Sequence, residues 1–162
     1  MSKGSSFYSQ LVGNPDELGP VADAFDYYMQ QYTLGEAEVN TLMQRGKRLE
    51  EAARQLPGIV SHRYGQLQEI EQIIKYLEYR EKHLLGKKRR MFREHYNRDL
   101  TDVMVERYAE SDPELLDLAE VRNMFALVRN KFLGLTKHHE CLHFQLTNMT
   151  KLRVAGIEDT VL

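Results

Sequence analysis

An apolar seam that repeats over ten positions constrains the fold of this chain more than any other feature of its sequence. Its members are separated alternately by three and four residues, and they are Leu118, Val121, Phe125, Val128, Phe132, Leu135, His139, Leu142, Leu146 and Met149. This spacing is typical of a long α-helix that packs one face against other helices. Asp112 and Pro113 suit the N-cap and the first turn of such a helix, so we expect it to begin there.

A second seam with the same spacing predicts another long helix, over residues 59–96. Its positions become polar toward the C-terminal end, and they are Leu67, Ile70, Ile74, Leu77, Glu81, Leu84, Lys88 and Met91. Thr101 suits the N-cap of a short helix over residues 102–109, between the two long ones. No segment alternates with a period of two for long, so strands are not expected.

The first third of the chain predicts two shorter helices. After an arm or loop of about fifteen residues, Pro20 suits the start of a helix that ends near Tyr32. The sequence Thr-Leu-Gly-Glu at 33–36 has the pattern of a capping box, which predicts a new helix start. This helix would end at Pro57-Gly58, and its seam would be Val39, Leu42, Gly46, Leu49, Ala53 and Leu56.

Together these patterns predict an all-α protein, built as a long antiparallel helical hairpin or bundle with coiled-coil-like seams. We expect an N-terminal arm with short helices over residues 1–58 and a helical core over residues 59–162. The two long seams carry more apolar surface than one hairpin can cover, so we also expect self-association into a closed homo-oligomer.

Composition narrows the classes of function. No stretch approaches the roughly 18 apolar residues of a membrane span, and the first ten residues lack the apolar core of a signal peptide. We therefore expect a cytoplasmic protein with no membrane partner. The single cysteine excludes an internal disulfide and a multi-cysteine metal cluster. No glycine-rich phosphate loop occurs, so an NTPase is not expected, and no cofactor is predicted.

The distribution of charge points to an anionic partner. The whole chain has a net charge of −2, but residues 63–98 carry 10 basic and 5 acidic side chains. Basic side chains neutralise phosphates and aromatic rings stack on unpaired bases, so a mixture of the two favours single-stranded nucleic acid. The candidate binding residues within this basic segment are Lys82, Lys87, Lys88, Arg89, Arg90, Arg93, Arg98, Tyr79 and Tyr96.

The alternative interpretation of the basic segment is a solvated helix whose cations pair with the acidic flanks. Residues 87–90 are four consecutive basic residues and cover the whole circumference of a helix. Such a run repels itself and gains little from packing, which favours a binding role.

A different chemistry is suggested by His139-Glu140-Cys141-Leu142-His143, which matches the HExxH pattern of zinc hydrolases. His139 and His143 would be the metal ligands. A catalytic zinc needs a third protein ligand, and none follows at a suitable spacing. Because His139 also occupies a seam position, we expect it to be a packed core residue.

The chain resembles the phage UvsY-type recombination mediator family over about residues 60–160. The resemblance is carried by the basic segment that ends in tyrosine, the ERY element at 106–108, the acidic turn SDP at 111–113 and the closing FQLTNM at 144–149. The chain departs from the family in its longer N-terminal region and in the histidines at 138, 139 and 143.

This resemblance implies a non-enzymatic protein of phage DNA recombination, repair and replication. Such proteins bind single-stranded DNA, form ring-like homo-oligomers, and help load a RecA-like recombinase onto DNA covered by single-stranded DNA-binding protein. A phage-encoded protein of this kind would act in the host cytoplasm. The resemblance assigns DNA binding to Lys87, Lys88, Arg89, Arg90, Arg93 and Tyr96. Two alternatives stay open: a helical structural or assembly protein of a virion, and a small HExxH zinc hydrolase.

Overall fold

The computed structural model describes residues 19–42, 49–95 and 100–156, and every regular element in these ranges is an α-helix. The helices are α1 (Gly19–Leu42), α2 (Leu49–His95), α3 (Asp102–Glu110) and α4 (Pro113–Val154). The all-α prediction is thus confirmed for the described part of the chain, while the predicted N-terminal arm and the seam position Gly46 lie outside it. No helix in these ranges has both the length and the apolar character needed to cross a membrane.

The two long helices run antiparallel, as the ion pairs along them show. Lys88, near the C-terminal end of α2, contacts Asp112 and Glu114 at the start of α4, with Nζ–O distances of 2.9 and 2.8 Å. Two turns back along α2, Glu81 pairs with Arg122 at 2.8 Å. At a rise of 1.5 Å per residue, α2 and α4 are each about 60–70 Å long. Helix α1 packs beside both and completes a three-helix bundle.

The core consists of two apolar clusters along the bundle. The larger contains Val21, Ala24, Tyr28, Leu67, Ile70, Ile73, Ile74, Leu77, Leu118, Phe125, Val128 and Phe132. The smaller contains Val39, Leu42, Ala52, Leu56, Leu135, Leu142 and Leu146. Of the ten seam positions predicted in α4, eight are buried, Val121 is half-buried, and Met149, near the end of the helix, is exposed.

A buried arginine fixes α1 against α2 at the level between the two clusters. The side chain of Arg63 is 2% exposed, and its guanidinium contacts the carboxylate of Glu38 at 2.8 Å. It also donates to the backbone carbonyl of Gln31 at 3.1 Å and to Oε1 of Gln66 at 2.9 Å. These bonds satisfy a charge that would otherwise be costly to bury.

The predicted helix start at Thr33 is wrong, because α1 continues through it to Leu42. The Thr33 hydroxyl donates to the carbonyl of Met29 at 3.2 Å and does not cap a helix. Gly35, which belongs to the predicted capping box, instead permits a close approach between helices. A Cβ atom at this position would lie 2.5 Å from Cδ2 of Leu135 in α4.

The predicted helix end at Pro57 is also wrong, because α2 continues across it. The proline ring is exposed, whereas Ala52 and Leu56 are buried in the smaller cluster. The free energy gained by burying this face therefore exceeds the cost of the backbone hydrogen bond that proline cannot form. Ala53, an expected seam residue, is exposed, since α1 and α2 are separate helices and the seam does not continue in phase between them.

The predicted starts of α3 and α4 are confirmed. The Thr101 hydroxyl accepts a hydrogen bond from the amide of Met104 at 3.4 Å. The Asp112 carboxylate accepts one from the amide of Glu114 at 3.1 Å, and Pro113 occupies the first helical position. Each cap satisfies an amide that has no partner within the helix.

Candidate nucleic-acid interface

The basic segment forms the C-terminal part of α2, and its side chains divide between two faces of that helix. Positions three, four, seven and eleven residues apart share a helix face. One face, here called the outer face, consists of exposed residues, which are Tyr79, Lys82, His83, Gly86, Lys87 and Arg90. Lys88 turns away from this face and pairs with residues at the start of α4, whereas Arg89 lies at the edge of the outer face, seven residues after Lys82, and its guanidinium reaches Glu106 of α3.

Lys88 is held by two carboxylates at the start of α4. Its side chain is 14% exposed, and Nζ contacts Asp112 at 2.9 Å and Glu114 at 2.8 Å. Hydrogen bonds with Glu114 and Asp112 raise the pKa of Lys88, so the ammonium stays charged. Lys88 therefore ties α2 to the capped end of α4.

Arg89 is held in a similar way by α3. Its guanidinium forms an ion pair with Glu106, and the hydrogen bond raises the pKa of Arg89. The rings of Phe92 and Tyr108, with centroids 5.8 Å apart, pack the same two helices together. The expectation that residues 87–90 gain little from contacts is therefore wrong for Lys88 and Arg89.

Arg93 has an intermediate position. It contacts Asp102 at 2.7 Å, but both side chains are exposed, at 63% and 88%. An ion pair of this kind contributes little to stability and exchanges easily with water and salt. Two further candidates, Tyr96 and Arg98, lie outside the described residues.

The outer face carries a groove of about 400 Å³ lined by Lys82, His83, Gly86, Lys87 and Arg90. Its three cations have no ion-pair partner within residues 19–42, 49–95 and 100–156. Three uncompensated positive charges around one concavity attract anions and raise their local concentration. Within the described part of the basic segment, the groove thus brings together three cations that have no acidic partner.

An aromatic pair extends the outer face toward the N-terminal side of the groove. The rings of Tyr79 and His83 are stacked, with centroids 6.4 Å apart and planes at 18°. Tyr79 is 68% exposed. An exposed, oriented ring offers a flat surface on which an unpaired base can stack.

Sequence reasoning identified the cations and Tyr79 but missed His83 and Gly86, which line the same groove. The signal was present in the spacing. Tyr79, His83, Gly86 and Arg90 are separated by four, three and four residues, which is the spacing of one helix face. Reading the segment by helix face would therefore have separated the outer face from Lys88.

The HExxH sequence lies at the other end of the bundle, beside an apolar cleft. This cleft has a volume of about 550 Å³ and is lined by residues of α2 and α4 that include Leu56, Tyr64 and Phe144. His139 is fully buried at its edge, which confirms the prediction of a packed seam residue. No side chain of the described residues bonds its ring nitrogens, and burial lowers the pKa of His139. Cys141, two residues further along α4, is an exposed free thiol.

The geometry gives the zinc hydrolase alternative no support. Within the described ranges, no three His, Cys, Asp or Glu side chains come close enough together to hold one metal ion. His139 is enclosed by the core, whereas His143 is on the rim of the cleft. A catalytic zinc site requires three convergent protein ligands and an open position.

No family model, curated protein or solved structure matches this chain. Function therefore has to be inferred from the outer face of α2 and from the resemblance described above.

Proposed function

We propose that this protein is a non-enzymatic single-stranded DNA-binding protein that uses the outer face of α2. One observation carries the proposal: Lys82, Lys87 and Arg90 line a common groove and have no acidic partner in the described part of the chain. The neighbouring Lys88 and Arg89 are neutralised by carboxylates. The fold thus leaves one set of cations open to an external anion.

The chemistry of the outer face suits a single strand better than a duplex. Lysine and arginine neutralise backbone phosphates and release bound counterions, which favours binding of any sequence. Tyr79 and His83 supply a stacking surface, and only unpaired bases can lie on it. Binding should be tolerant of sequence and should weaken as salt rises.

The cellular role that we propose is that of a recombination mediator, in line with the resemblance to UvsY-type proteins. The protein would bind single-stranded DNA covered by single-stranded DNA-binding protein and help a RecA-like recombinase to assemble there, in the host cytoplasm. We further propose that it acts as a ring-like homo-oligomer. The apolar cleft, with Phe144 exposed at 69%, supports self-association, and several linked outer faces would multiply weak contacts with one strand.

The direct test is fluorescence anisotropy with labelled single- and double-stranded DNA of one sequence at two salt concentrations. We expect the variant with Ala at Lys82, Lys87 and Arg90 to bind single strands roughly 10- to 100-fold more weakly than the wild type. The slope of log affinity against log salt should fall by about 2, because three phosphate contacts are lost.

A matched control removes the same charge elsewhere. Arg54, Lys137 and Lys151 form no ion pair with a described residue, so replacing them removes no such contact. Their triple Ala variant also loses three positive charges and therefore has the same net charge as the groove variant. An equal loss of affinity in both variants would show that overall charge, and not the groove, binds DNA. The mediator role is tested by the rate at which a RecA-like recombinase assembles on coated DNA with and without the protein.

The second candidate is a helical assembly protein, for instance of a virion. The apolar cleft and the exposed Leu152 and Val154 near the end of α4 favour it. Such a protein would self-associate, but the groove variant would behave like the wild type in every assay. Light scattering measures the association, and DNA binding separates the two candidates.

A further inference from the structure

Gly86 lies in the interior of α2, where glycine is an unfavourable residue for a helix. Packing does not require it, since a Cβ atom at this position would meet no atom within 4 Å. It differs in this respect from Gly35, where a Cβ would collide with Leu135. Gly58, Gly65 and Gly134 also lie inside helices and have nothing within 4 Å of a Cβ atom, so a special explanation for Gly86 has to come from its surroundings.

The surroundings of Gly86 supply one. Lys82 and Arg90 lie one helical turn before and after it on the same face, and Lys87 is the next residue. All three line the groove, and Gly86 lines it with them. At its centre, the wall of the groove is thus a helix surface without a side chain, flanked by cations on both sides.

We infer that Gly86 forms the floor of a seat for one phosphodiester group of a single strand, and that Lys82, Lys87 and Arg90 neutralise this phosphate and the two beside it. This inference rests on the proposed function. A phosphate oxygen can approach the bare helix surface and accept hydrogen bonds from the cation nearest to it, such as the two-pronged guanidinium of Arg90. A larger residue at position 86 would occupy that space.

The seat also explains how phosphate binding and base stacking combine. Tyr79 is seven residues from Gly86, or about 10 Å along the helix axis, and His83 lies between them. A strand with one phosphate over Gly86 has its neighbouring nucleotide beside the Tyr79–His83 pair. The outer face thus holds a short stretch of strand at two chemically different points.

The test compares Gly86→Leu and Gly86→Ala with the same substitutions at Gly65. Gly65 is in the same helix and is exposed, and a Cβ atom there would likewise meet nothing within 4 Å, but Gly65 does not line the groove. No charge changes in any variant. Binding of a labelled oligothymidylate should weaken about 5- to 10-fold in Gly86→Leu, about 2-fold in Gly86→Ala, and not in the Gly65 variants. Circular dichroism and thermal melting confirm folding, and both Ala variants should melt above the wild type.

An abasic strand, which keeps the phosphates and lacks the bases, identifies which contact is lost. Gly86→Leu should weaken binding of the abasic and the normal strand by the same factor, while Tyr79→Ala should weaken only the normal strand. Suppose that the wild type binds DNA and that folded Gly86→Leu binds both strands as tightly as the wild type does. The seat is then wrong and the proposed function stands. If the wild type binds neither strand, the proposed function is wrong and the seat with it. Gly86→Ala decides the matter if Gly86→Leu does not fold.

Discussion

The inner and outer cations of α2 come from one stretch of sequence and have different surroundings. Lys88 is 14% exposed and is held by two carboxylates, whereas its neighbour Lys87 is exposed and lines the groove. The difference arises because residues 102–114 bring Glu106, Asp112 and Glu114 against one side of α2 only. A run of basic residues is thus not a single functional unit, since helix geometry assigns some of its members to folding and others to ligands.

The largest effect on stability should come from Arg63, the most buried cation of α2. Arg63→Ala should lower the free energy of unfolding by about 3 kcal/mol, because it leaves Glu38, Gln31 and Gln66 without their common partner. Chemical denaturation measures this loss. Arg54→Ala, at an exposed position of the same helix, is the control and should change stability by less than about 0.5 kcal/mol.

The sharpest comparison substitutes two adjacent residues. Lys88→Met should lower the free energy of unfolding by about 1–2 kcal/mol, because Asp112 and Glu114 lose their cation, while DNA affinity stays unchanged. Lys87→Met should leave stability within about 0.5 kcal/mol and weaken single-strand binding several-fold, with a salt slope lower by about 0.7. Denaturation and anisotropy on the same samples separate the effects. If both variants lose affinity equally, the division into inner and outer cations is wrong.

The buried imidazole of His139 should make the stability of the protein depend on pH. Burial lowers its pKa from the usual 6.5, so below pH 6.5 the unfolded chain takes up a proton that the folded chain does not. This contribution to stability is therefore present well above pH 6.5 and is lost as the pH falls through that value and below it. His139→Leu should remove this part of the pH dependence and raise stability at neutral pH.

Denaturation of the wild type and His139→Leu at several pH values measures the difference. A parallel set with EDTA addresses the metal alternative. A wild type that EDTA destabilises and a variant that it does not would revive the zinc site.

The smallest effect is expected at Asp102, whose pair with Arg93 is exposed. Asp102→Asn should change the free energy of unfolding by less than about 0.5 kcal/mol. It frees Arg93, so single-strand affinity should rise about 2-fold. A loss of affinity would mean that Asp102 holds Arg93 in a binding-competent position.

Local signals predicted the parts of the fold that depend on near neighbours in the chain. The caps at Thr101 and Asp112 and the seam of α4 are of this kind, because their hydrogen bonds or spacing are set within a few residues. The helix start predicted at Thr33 and the helix end predicted at Pro57 are wrong because packing against distant residues, at Gly35 and Leu56, keeps these segments helical. The candidate site followed the same rule: composition located the basic segment, but the carboxylates that neutralise Lys88 lie more than twenty residues away.

The length of α2 has a practical consequence for experiments in solution. Leu56, beside the apolar cleft, is thirty residues from Gly86, which is about 45 Å along the helix. Cys141 is exposed at the cleft end of the bundle and is the chain's only cysteine. A maleimide dye can therefore be attached to the natural sequence at one defined point, remote from the groove. If copies associate through the cleft, thiol labelling should slow as protein concentration rises.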